Sequence, residues 1–114
     1  MAVLAVQQIT RAGLDAALAA AAAGGDAFAN TGRAFLRGSN AHLSAARTVT
    51  IASQLPAGAI PQGAAKSDVI VAVPASEERF IGPFDPAAFN DANGRVVVTY
   101  DDEADLTVAA VALP

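Results

Sequence analysis

A chain of 114 residues has the length of one domain and buries roughly two-thirds of the surface its unfolded form exposes. The absence of cysteine excludes a disulfide framework and a thiolate metal site, and a net charge of −4, with one lysine and six dispersed arginines, leaves no electrostatic footprint for nucleic acid. Apolar residues make up 54% of the chain, but much of that is alanine, so the core must be thin, and no apolar run approaches the roughly 20 residues of a membrane span.

The first residues, MAVLAVQQITRAGL, lack the basic flank and unbroken apolar run of a secretory leader, so a soluble, unexported chain is expected. Residues 1–13 alternate loosely, with Val3 and Ala5 opposite Leu4 and Val6, and read equally as an N-terminal arm or as an edge strand. Val3, Leu4, Val6, Ile9 and Arg11 are the candidate partner contacts on this segment. An arm of this kind can add a strand to a neighbouring chain through main-chain hydrogen bonds.

A single domain is expected over 14–114. It opens on LDAALAAAAAGGDAF, where propensity favours a helix started at Asp15 and stopped by Gly24-Gly25. Against that, such a helix falls short of the roughly 12–15 residues at which even alanine-rich helices persist alone. It would also dock through little more than methyl groups, with Leu14 and Leu18 as its large anchors. GRAFLRGSN alternates Ala34 and Leu36 with Phe35 and Arg37, which predicts a strand, and HLSAARTVTIAS is expected to pair back onto it across the Ser39–His42 turn.

QLPAGAIPQGAAKSD reads as a loop, because its prolines and glycines break any ladder. SDVIVAVP is apolar on both sides and predicts a central strand, followed after Pro74 by a hairpin partner through Phe80 and Ile81. Gly82-Pro83 marks a turn. A short helical turn is expected near residues 85–90, with Asp85 as cap and Pro86 in its first turn. Asn93-Gly94 supplies a positive-φ turn into RVVVTYDD, and an acidic turn leads on to ADLTVAAVALP. The sum is an all-β chain, an antiparallel β-sandwich of about seven strands.

Chemistry-bearing residues are sparse. Nucleophilic catalysis needs a base beside Ser or Thr, and the lone histidine, His42, sits in a turn. One histidine without cysteine offers no nitrogen or sulfur metal set, and Asp91-Ala92-Asn93-Gly94 lacks the alternating ligands and closing glutamate of a calcium loop. Glu77 and Glu78 are adjacent, and neighbouring strand residues face opposite ways, so they cannot act together. Gly24-Gly25 opens no phosphate loop. A non-enzymatic chain without a cofactor is expected.

Ile9 to Leu14 (ITRAGL), Gly24 to Asn40 (GGDAFANTGRAFLRGSN) and Val73 to Tyr100 (VPASEERFIGPFDPAAFNDANGRVVVTY) together resemble a family of small structural proteins encoded in the head-gene region of tailed bacteriophages. The shared positions are turn glycines and aromatics, among them Gly24, Gly25, Gly82, Pro83, Asn93 and Gly94, which the resemblance marks as fold-defining. It implies a β-sandwich that decorates the capsid surface in the manner of a cement protein, with the major capsid protein as partner and a homo-oligomer, a trimer by preference, as the working form. Similar sequences are richer in Thr, Tyr and Pro where this chain has alanine, which moves the expectation for that tract from helix to an extended segment.

A head–tail connector or tail component is the alternative within the virion. A small carbohydrate- or surface-binding sandwich is the remote one, weakened by the absence of Trp and the single Tyr. Neither nucleic acid nor membrane is expected as a partner.

Overall fold

The computed structural model describes residues 2–54 and 68–114, so the Pro- and Gly-rich loop expected over 54–68 lies, but for its two end residues, outside the described residues. Ten strands and one helical turn follow in chain order: β1 (Ala2–Leu4), β2 (Val6–Gln8), β3 (Ala19–Ala20), β4 (Asp26–Ala29), β5 (Ala34–Asn40), β6 (Arg47–Ile51), β7 (Val69–Val73), β8 (Glu78–Ile81), α1 (Pro86–Phe89), β9 (Arg95–Tyr100) and β10 (Leu106–Ala112). They form two five-stranded sheets, the first in the order β1-β4-β9-β6-β7 and the second in the order β2-β10-β5-β8, with β3 also on β10. The fold is all-β and sandwich-like.

Alternation in the sequence translates directly into the core. Leu36 of β5, Val49 and Ile51 of β6, Val96 and Val98 of β9 and Val108 of β10 are all fully buried, and their strand neighbours point outward. Phe28, Val73, Ile81, Phe84 and Leu106 join them in a cluster made mostly of aliphatic side chains. Such a core relies on close interdigitation, since each buried methylene contributes only about 0.8 kcal/mol.

The pairing differs from expectation in three places. The strand over 34–40 does not form a hairpin with the one over 47–51: β5 pairs with β10 and β8, while β6 pairs with β9 and β7 in the opposite sheet. Asn40 diverts the chain there, its Nδ2 donating to the carbonyls of Ala45 and Val73 while its Oδ1 accepts from the His42 amide. The expected hairpin between β7 and β8 is likewise a crossover between sheets. Finally, among the described residues β7 is an edge strand and not a central one, with Ile70 67% exposed although the strand is apolar throughout.

The sheets are also mixed, not purely antiparallel. β1 runs parallel to β4 and β2 runs parallel to β10. Residues 2–8 thus form a ribbon that edges both sheets in turn, crossing from one to the other at Ala5. It is tied by Ala2 N–H to the Gly25 carbonyl at 3.2 Å and by Ile9 N–H to the Ala112 carbonyl at 2.9 Å.

The alanine tract is extended. Ala19 and Ala20 pair antiparallel with Val108 and Thr107, and the Ala21 amide donates to the Leu106 carbonyl. Methyl groups offer a short helix little anchorage, and here Ala19 and Ala20 stay exposed while their backbone pairs along β10. The chain then turns through Ala22–Gly25, where Gly25 has φ +92° and its amide closes onto the Ala22 carbonyl. The helical turn α1 forms where Asp85 and Pro86 indicate, with Asp85 Oδ1 accepting from the Ala87 amide.

Candidate functional site

The outward side of the second sheet carries Phe80, an exposed aromatic, packed against Phe35. Because Leu36 and Ile81 face inward as register partners, the next pair, Arg37 and Phe80, faces outward, and Phe35 stands beside Val111 on β10. Phe35 and Phe80 meet edge to face with centroids 5.8 Å apart, and the Arg37 guanidinium lies 5.9 Å from the Phe80 centroid. Two nitrogens of the same guanidinium reach Glu78 Oε2 at 2.8 Å. Phe80 is held in place, yet 62% of it remains exposed.

Ile9, Leu14 and Ala16 face this cluster across a groove of about 180 Å³ whose floor is Val111. The loop that brings them there is strapped to β2 by Gln7, whose side chain donates to the Ala17 carbonyl at 3.0 Å and accepts from the Ala17 amide at 2.8 Å. A second hollow of about 220 Å³ opens between Leu4, Ala5 and Gln7 on the N-terminal ribbon and Ala17, Ala19 and the middle of β10. Chemically the groove is an apolar slot with one guanidinium already paired. It suits a side chain or backbone of a partner, and nothing in it activates a nucleophile.

Polar groups inside the sandwich hydrogen-bond one another and the backbone. Asp26, only 1% exposed, accepts on Oδ2 from the Tyr100 hydroxyl at 2.6 Å and from the Ala22 amide at 3.2 Å, whereas its Oδ1 has no partner among the described residues. Burial, reinforced by the hydrogen bond to Asp26 and the carboxylate charge, holds the Tyr100 hydroxyl well above the ordinary tyrosine range. Asn30 donates to the Phe84 carbonyl and to Asn90 Oδ1, and Asn90 returns a bond to the Asn30 carbonyl, so the two amides lock α1 against the end of β4. Arg47 sends Nε to the Ala104 carbonyl and leans on Asp102 at 3.7 Å.

His42 Nδ1 accepts from the amides of Ser44 and Ala45, which makes it a turn cap. Glu77 and Glu78 separate onto different arginines, Arg79 and Arg37. Asp101 accepts from the amides of Thr48 and Asp102, and Asp91 from those of Asn93 and Arg95. Among the described residues no group of three or more His, Cys, Asp or Glu is placed to hold a metal ion.

Of the partner contacts named from sequence, Val3 is 59% exposed, Val6 36% exposed, Leu4 packs toward the core, Ile9 lines the groove, and Arg11 lies in the turn closed by Gly13 N–H on the Thr10 carbonyl. Gly24 is exposed at the bend before Gly25, and Gly82 precedes a cis Pro83. Asn93 and Gly94 form the turn in which the Gly94 amide bonds the Asp91 carbonyl. The Phe35–Arg37–Phe80 cluster was not singled out from sequence. Its signal was the aromatic at the outward position of each strand, masked because both strands also carry apolar residues inward. No family model, curated protein or solved structure matches this chain.

Proposed function

We propose that this chain is a non-enzymatic virion structural protein that binds the outer capsid lattice of a tailed bacteriophage and stabilises it. Its partner is the major capsid protein, its working form a homo-oligomer, a trimer by preference, and its place the capsid surface after assembly in the host cytoplasm. The observation that carries the reading is the N-terminal ribbon, which edges both sheets while leaving Val3 and Val6 exposed. A strand in that position can meet a neighbouring chain through side chains and through the main-chain edge that no other described residue pairs with.

The motif positions that carry the phage resemblance support it in a second way. Gly25, Gly82 and Gly94 all adopt positive φ, a backbone conformation that favours glycine, as motif positions that set a scaffold would require. A module that works by burying surface across joints between subunits requires rigidity and repeated contacts. Partner contacts of that kind also add to the stability of a thin core by mass action. The carbohydrate-binding reading draws nothing from Tyr100, whose hydroxyl is turned to Asp26.

Co-sedimentation of the purified chain with heads assembled without it tests the proposal. Saturable binding in proportion to the number of shell subunits is expected. Saturation at a single ring of copies per head would assign the chain to the connector or tail, and no binding would overturn both.

A further inference from the structure

We propose that two copies of this chain join edge to edge through β7, antiparallel about a two-fold axis at Val71, so that their first sheets become one continuous sheet. Among the described residues β7 pairs with β6 alone, which leaves one row of its backbone N–H and C=O groups facing away from the sheet. Natural edge strands are normally kept from pairing by charge, proline, a bulge or extreme shortness. β7, with the sequence Val-Ile-Val-Ala-Val, has none of these over its five residues.

The other edges differ. β8 carries Glu78 and Arg79, both in ion pairs, and β1, β2 and β3 are each no longer than three residues. The outward side of β7 shows Ile70, 67% exposed, with Thr50 and Thr48 as its uncharged neighbours on β6.

A two-fold axis at Val71 sets the register of the second copy. With Val71 on the axis, Ile70 stands opposite Ala72 of the second copy and Val69 opposite Val73, so a large side chain meets a small one and valine meets valine. Asp68 falls opposite Pro74, and no carboxylate faces another. Like carboxylates directly opposite across a strand pair would be destabilising. The segment thus pairs with itself large against small and without opposing like charges, as a two-fold contact demands. The contact belongs to the free protein and stands apart from the capsid reading.

The full chain has no cysteine, so engineered thiols report the register cleanly. Antiparallel pairs alternate between wide and close spacing, so one of two pairings, position 71 with itself or position 70 with 72, must be the close one. Under mild oxidation, covalent dimer is expected either from Val71→Cys alone or from a mixture of Ile70→Cys and Ala72→Cys, at several-fold the yield of either of those two by itself. In sedimentation velocity, Ile70→Lys should weaken self-association at least tenfold while the circular dichroism spectrum is kept. Absence of both cross-links, or identical sedimentation of wild type and Ile70→Lys, overturns the proposal.

Discussion

The Tyr100 hydroxyl donates a 2.6 Å hydrogen bond to Oδ2 of Asp26, linking β9 to β4 inside the sandwich across 74 positions of sequence. Asp26 is almost completely buried and its other oxygen has no partner among the described residues, so this bond is one of two that compensate the carboxylate for leaving water. Tyr100→Phe removes one of them and leaves the acceptor in place. Urea unfolding should show a loss of about 2–3 kcal/mol, the range for stranding a buried charged group. A loss within about 0.5 kcal/mol would mean that the carboxylate is solvated in the folded state.

The same pair sets an alkaline limit. Burial first, then the Asp26 hydrogen bond and charge, raise the Tyr100 hydroxyl above its unfolded value. The folded state therefore keeps a proton that the unfolded chain releases above about pH 10, and stability falls as pH rises from there, by up to about 1.4 kcal/mol per unit. With one tyrosine and one lysine in the chain, few other groups titrate in this window. Denaturation at pH 8, 10 and 11 should show the decline in the wild type and its near disappearance in Tyr100→Phe.

Two glycines separate turn strain from steric conflict. Both have positive φ, but a Cβ on Gly25 would lie 2.5 Å from the Val98 carbonyl oxygen, while one on Gly94 would meet nothing within 4 Å. Gly94→Ala should cost about 1–2 kcal/mol for the left-handed backbone alone. Gly25→Ala must also displace β9 and should cost more than about 3 kcal/mol. Thermal melts of the two variants side by side provide the check, and equal melting temperatures would remove the distinction.

Val3 tests the exposed ribbon. Its side chain contributes little to the core, so Val3→Asp should change unfolding free energy by no more than about 0.5 kcal/mol. Binding to heads that lack the protein should nonetheless weaken at least tenfold, because a carboxylate would be carried into the contact. Unchanged binding would take the ribbon out of the interface.

Strands were legible where one side of the alternation is polar, as in Thr48-Val49-Thr50-Ile51, and these entered the core as read. Partners were not legible, because period-two patterning states which side is buried and not which sheet receives it. β5 and β6 therefore read as a hairpin, when Asn40 and its carbonyl acceptors carry the chain between sheets. β7 read as central because Ile70 and Ala72 are apolar, although they face outward at an edge. Parallel pairing of β1 with β4 and of β2 with β10 leaves no local turn signature at all. Of the site, the N-terminal residues were visible as alternation, whereas the Phe35–Arg37–Phe80 cluster depends on strand register that no single segment contains.

The central claim is best measured by reconstruction of purified virions with the density of this chain located and its copies counted. The account predicts copies distributed over the whole outer shell at symmetry-related joints between capsid subunits, with residues 2–9 at the contact. Density confined to one vertex, or particles that lack the chain, would contradict it.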